Sequence, residues 1–112
     1  MAWDTVVTTA LAELGSTVWY DLDPKETAHI QAIRTDAGVT DAMVIAAYGS
    51  TDNGTTVDTI PLISIYMAPS ATPPAQSFSI TGVRYFRITM FPIGTADIVT
   101  CNVMVIRDGG IA

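Results

Sequence analysis

Met43-Val44-Ile45-Ala46-Ala47-Tyr48 runs into Gly49-Ser50-Thr51-Asp52-Asn53-Gly54-Thr55-Thr56, and Val83-Arg84-Tyr85-Phe86-Arg87-Ile88 follows further along the chain. The first run is apolar and β-rich. The Asp-Asn-Gly tip after it suits a tight reversal, because Asn and Gly tolerate the positive φ that hairpin turns need. The second run alternates: Phe86, Ile88 and Met90 fall on one side of an extended chain, and Tyr85, Arg87 and Thr89 on the other. Val99, Cys101, Val103 and Val105 share a face in the same way, opposite Thr100 and Asn102. A period of two, punctuated by turn residues, marks antiparallel strands with one buried face.

The same rhythm extends in both directions. Strands are predicted over 16–22, ended by Asp23-Pro24, and over 27–35, 42–48, 76–81, 83–91 and 98–107, with an extended run over 57–67 bent by Pro61. Residues 68–75 form a loop, since Pro69, Pro73 and Pro74 sustain neither helix nor central strand. Pro92-Ile93-Gly94-Thr95 reads as the turn of a hairpin joining the last two strands. Near the start, Trp3, Val6, Val7, Ala10, Leu11 and Leu14 recur at helical spacing, yet the β-branched run over 5–9 favours an extended arm or strand. These readings predict an all-β, antiparallel two-sheet sandwich, jelly-roll or Ig-like, of about seven or eight strands. Residues 1–14 form its N-terminal arm or edge strand, and 15–112 a single domain.

A chain of 112 residues accommodates one domain around one core. Yet 49% of its residues are hydrophobic and only 14% charged, more apolar material than one small core needs. The surplus predicts burial against a neighbouring subunit. Five Lys and Arg against eleven Asp and Glu give a formal charge of -6, and the basic residues stand singly. Such a chain repels nucleic-acid phosphates and anionic membrane surfaces, so neither is an expected partner. No apolar run approaches a membrane-spanning length and no secretory signal is visible, which makes a cytoplasm the expected site of synthesis.

No constellation of reactive residues emerges. His29 is the single histidine, and Cys101 the single cysteine, set in an alternating apolar strand where a packed thiol is expected. Asp21, Asp23 and Glu26, or Asp52, Asn53 and Asp58, lack the dense spacing of a calcium loop, and Asn53-Gly54-Thr55 matches a glycosylation sequon without a secretion signal. Arg84 and Arg87 are expected to meet solvent or ion-pair partners rather than to form a clamp. Trp3, Trp19, Tyr20, Tyr48, Tyr66 and Tyr85 are spread about one per strand, as core and intersubunit packing produce. No catalytic, cofactor-binding or metal-binding residue is assigned.

Trp19-Tyr20-Asp21-Leu22, Glu26-Thr27-Ala28-His29-Ile30, Val44 through Gly54, and Gly82-Val83-Arg84-Tyr85-Phe86-Arg87-Ile88, in that order, resemble small β-sandwich structural proteins of tailed bacteriophages. The resemblance covers about residues 18–108. It implies a non-enzymatic virion component, a capsid decoration or cement protein made in the host cytoplasm, with the major capsid protein or other virion subunits as partners. The Arg-Tyr-x-Arg strand also looks like strands of discoidin-type carbohydrate-binding modules, and a tail or baseplate component is a further alternative. With the apolar surplus, this reading makes Trp3, Val6, Val7 and Leu11 the expected intersubunit contact. It places Asp52, Asn53 and Gly54 at an exposed loop tip, and a homo-oligomer, a trimer, as the expected assembly.

Overall fold

The computed structural model describes residues 7–12, 15–22, 27–35, 41–68, 75–94 and 99–108. They form eight strands: β1 (Val7–Ala12), β2 (Tyr20–Asp21), β3 (Thr27–Arg34), β4 (Ala42–Ser50), β5 (Ile63–Met67), β6 (Ala75–Ile80), β7 (Tyr85–Ile93) and β8 (Thr100–Asp108). All pairings are antiparallel, in two four-stranded sheets ordered β1-β8-β3-β6 and β2-β7-β4-β5. Only β4 and β5 are consecutive strands of one sheet; the other connections cross between sheets. This is the strand order of a jelly roll, two Greek keys folded on each other, which settles the choice against an Ig-like arrangement.

The expected hairpin between the last two strands does not form. β7 lies between β2 and β4, and β8 between β1 and β3, so the chain after Pro92-Ile93-Gly94 returns in the opposite sheet. A Pro-Gly signal makes the chain turn, but it does not choose the sheet that receives the next strand. The expected strand over 16–22 is also interrupted. Gly15 accepts from Met90 N, Thr17 N donates to Ile88 O, Tyr20 pairs with Phe86, and Leu22 N donates to Arg84 O. Residues 15–22 therefore follow β7 along its length, while only Tyr20–Asp21 has regular strand geometry.

The core is the alternation made solid. Phe86, Ile88 and Met90 of β7 and Met43, Ile45 and Ala47 of β4 meet Ala28, Ile30 and Ala32 of β3 and Cys101, Val103 and Val105 of β8. Each is buried, and each large side chain removed from water contributes about 1.5–3 kcal/mol. One charged side chain joins them. Arg34 shares the inward parity of Ala28, Ile30 and Ala32 and is 1% exposed. Its guanidinium donates to the carbonyl oxygens of Met67, at 3.2 Å, and Asp41, tying β3 of one sheet to the β4–β5 side of the other. At the opposite side, Arg107 of β8 donates to Asp21 O of β2 at 2.9 Å. These ties place β5 beneath the β3–β6 side and β2 beneath the β1–β8 side.

Candidate functional site

The loop tip after β4 is built by local hydrogen bonding. Asn53 and Gly54 have φ of 57° and 92°, the positive pair expected of a type I′ reversal. Ser50 Oγ accepts from Gly54 N at 2.9 Å and from Asp52 N at 3.2 Å. Ser50 Oγ also donates to Asp52 Oδ1, which in addition accepts from Thr56 N at 2.7 Å. That bond from the Thr56 backbone, with those from the Thr56 and Ser50 hydroxyls, holds the Asp52 carboxyl below its ordinary value. Asp52 and Asn53 are exposed, whereas Gly54 is partly covered. A Cβ at Gly54 would lie 2.4 Å from Trp19 Nε1, so the indole rests directly on the turn backbone.

Trp19 in turn carries Arg87, whose guanidinium carbon lies 4.8 Å from the ring centroid. Arg87 points to the outer face of β7, directly opposite Tyr48 of β4 in the sheet register. Tyr48 packs edge-on against Phe91, with centroids 6.3 Å apart and planes at 71°. Tyr20 instead faces inward and stacks on Phe86 at 5.1 Å. The Tyr48 and Phe91 rings thus meet at an angle, and one face of Trp19 is occupied by Arg87.

The arginines differ in their satisfaction. Arg84 forms a bidentate pair with Asp21, 2.7 Å from Nε to Oδ1 and 3.2 Å from Nη2 to Oδ2, out in solvent. Arg34 and Arg107 donate to backbone carbonyls as described. The Arg87 side chain has no hydrogen bond or ion pair among the described residues, and its Nε is sheltered from solvent with no acceptor.

A second feature lies along one side of the sandwich. β5 ends the second sheet and β6 ends the first. Both belong to residues 59–83, a span without a single charged side chain. Ile60 is 78%, Leu62 46% and Tyr66 64% exposed, all at or beside β5.

His29 lies on the outer face of the first sheet, its Nδ1 3.0 Å from Ser79 Oγ. With Gln31, Ser77, Met104 and Ile106 it borders an open groove of about 450 Å³. Cys101 is buried on the inner face of β8. Among the described residues no three His, Cys, Asp or Glu converge as metal ligands. Of the expected intersubunit residues, Trp3 and Val6 lie outside the described residues, and Val7 pairs with Val105 as the first residue of β1. Leu11 is 5% exposed and packs in the core of its own subunit, because its parity matches that of the inward-facing Cys101 opposite it.

The sequence matches no protein-family model and no curated protein. In fold the chain is similar to a solved structure of Bacillus endospore appendages, which form a novel family of disulfide-linked pili. The TM-score is 0.53 at 19% sequence identity, and the match covers 96% of this chain and 90% of that one. The likeness is one of architecture: nearly the whole jelly roll is shared, while most residues differ.

Two features escaped the reading of the sequence. The uncharged span was in plain view, but its placement at the terminal strands of both sheets required the topology. The contact of Trp19 with Arg87 was less accessible, since it depends on residues 15–22 running beside β7 rather than on any local motif.

Proposed function

We propose that this chain is a non-enzymatic structural subunit whose work is adhesion, to copies of itself and to the surface of a larger particle. The uncharged edge formed by β5 and its flanking residues carries this reading. An edge strand presents unpaired N–H and C=O groups to any extended chain that meets it, and proteins that stay apart guard such edges with lysines or inward charges. Residues 59–83 offer no charge, and Ile60, Leu62 and Tyr66 set exposed apolar area beside those groups. The net charge of -6 repels copies at other approaches, so association is directed to the neutral edge.

The sequence resemblance supports a bacteriophage shell as the particle, with the subunit as a decoration protein on its major capsid protein. A subunit that binds only the assembled shell stabilises it by mass action. A closed trimer would satisfy the adhesive edge without leaving an open end. The fold shared with the appendage pilus favours a second reading, an open filament. In these 112 residues Cys101 is the sole thiol and is buried.

Sedimentation velocity on the purified chain over a wide concentration range, followed by co-sedimentation with empty phage shells, tests this. A closed oligomer that pellets with shells is expected. Polymers lengthening with concentration and ignoring shells would favour the filament, and a monomer that ignores shells would refute both.

A further inference from the structure

We propose that Asn53 is a latent modification site: its side-chain amide is lost to water when the tip after β4 opens, and Ser50 restrains the reaction while the tip is closed. Asn53 is exposed, and Gly54 behind it has no Cβ to shield its amide nitrogen. In the reaction that nitrogen gives its proton to hydroxide and attacks Asn53 Cγ. A C–N bond forms, the side-chain nitrogen takes a proton from water and leaves as ammonia, and a cyclic imide remains. Water then opens the imide at either carbonyl, giving aspartate or isoaspartate.

The closed tip withholds the nucleophile. Gly54 N donates to Ser50 Oγ at 2.9 Å, so the proton that must leave is engaged. The indole of Trp19 stands where a Gly54 Cβ would be and hinders the Asn53-Gly54 peptide from turning. Before Asn53 the backbone is fastened as well, because Asp52 N donates to the same hydroxyl at 3.2 Å. Ser50 itself is 3% exposed and belongs to β4, so it stays with the sheet when the loop moves. Asn102, the other asparagine, serves as an internal reference: β-branched Val103 follows it, inside a strand paired on both sides. Conversion at Asn53 sets a second carboxylate beside Asp52. Isoaspartate also lengthens the backbone, for which the turn beneath Trp19 has no room.

The test incubates the full chain at mildly alkaline pH, with peptide mass spectrometry to locate the lost amide and an isoaspartyl methyltransferase assay to count isoaspartate. Wild type unfolded in urea is expected to convert at Asn53 roughly tenfold or more faster than folded wild type, since only an open tip frees the Gly54 amide. Asn102 is expected to lag behind Asn53 in urea. Ser50→Ala, kept well below its melting temperature, is expected to convert at a rate between the two wild-type rates. Equal rates in folded and unfolded wild type would overturn the restraint, and an Asn53 that stays intact in urea would overturn the site. Asn102 keeping pace with Asn53 would overturn the part given to Gly54, and a Ser50→Ala rate equal to folded wild type the part given to Ser50. Hydrogen exchange of the Gly54 amide in the wild type needs no variant: protection is expected, and exchange as fast as in the unfolded chain would overturn the restraint.

Discussion

At the scale of single residues, the buried polar groups make the sharpest demands. Arg34 serves the carbonyls of Met67 and Asp41 from inside the sandwich. Arg34→Ala orphans both, so a loss of about 2–4 kcal/mol is expected in urea unfolding, whereas Asp21→Asn at the exposed pair with Arg84 should cost less than about 1 kcal/mol. Gly54→Ala meets two obstacles, a φ of 92° and the indole of Trp19 where its Cβ would stand. A destabilisation of about 1–3 kcal/mol is expected from the same assay. Asp52 titrates below its ordinary value of 3.8, with the Thr56 backbone bond as the main cause. A depressed folded value means that its contribution is complete above the ordinary value and is lost as pH falls through the lowered one. The carboxyl carbon of Asp52, followed by NMR, should therefore show its midpoint below 3.8, with faster exchange of the Thr56 amide on the acid side. Much of this scale was readable from parity. Arg34 stands two residues beyond Ala32 and so shares its inward face, whereas the burial of Leu11, expected at an intersubunit contact, follows from its pairing with Cys101, which only the topology supplies. What parity could not supply was the acceptor for a buried guanidinium, which comes from the other sheet.

At the scale of elements, strands with one buried and one open face were legible, and irregular or crossing segments were not. β7 and β8 carry the alternation predicted for them, because burial on one side fixes side-chain parity once a strand forms. Ile88→Ala at the centre of that buried row should cost about 2–5 kcal/mol, measured by chemical denaturation. The run over 57–67 fares differently. Val57 makes one bridge to Ser50, and regular pairing with β4 begins only at Ile63. Asp58 crosses close to β4 there, since a Cβ at Gly49 would meet its carboxylate at 2.7 Å, so that small residue makes room for the crossing. The β7–β8 connection was misread because turn chemistry is local, whereas the pairing of β8 with β1 and β3 is decided by long-range contacts between sheets.

At the scale of the whole molecule, an acidic jelly roll offers one side on which neither sheet edge carries charge. Global charge opposes association while this side invites it, so added salt should strengthen self-association by screening the repulsion. The decisive measurement is sedimentation velocity of the wild type beside the double variant Leu62→Lys with Tyr66→Lys, which charges the exposed edge and leaves the core row untouched. The wild type is predicted to form larger species as concentration rises, and the folded double variant to remain monomeric. A wild type that sediments as a monomer at every concentration, or a double variant that assembles as the wild type does, would contradict the account.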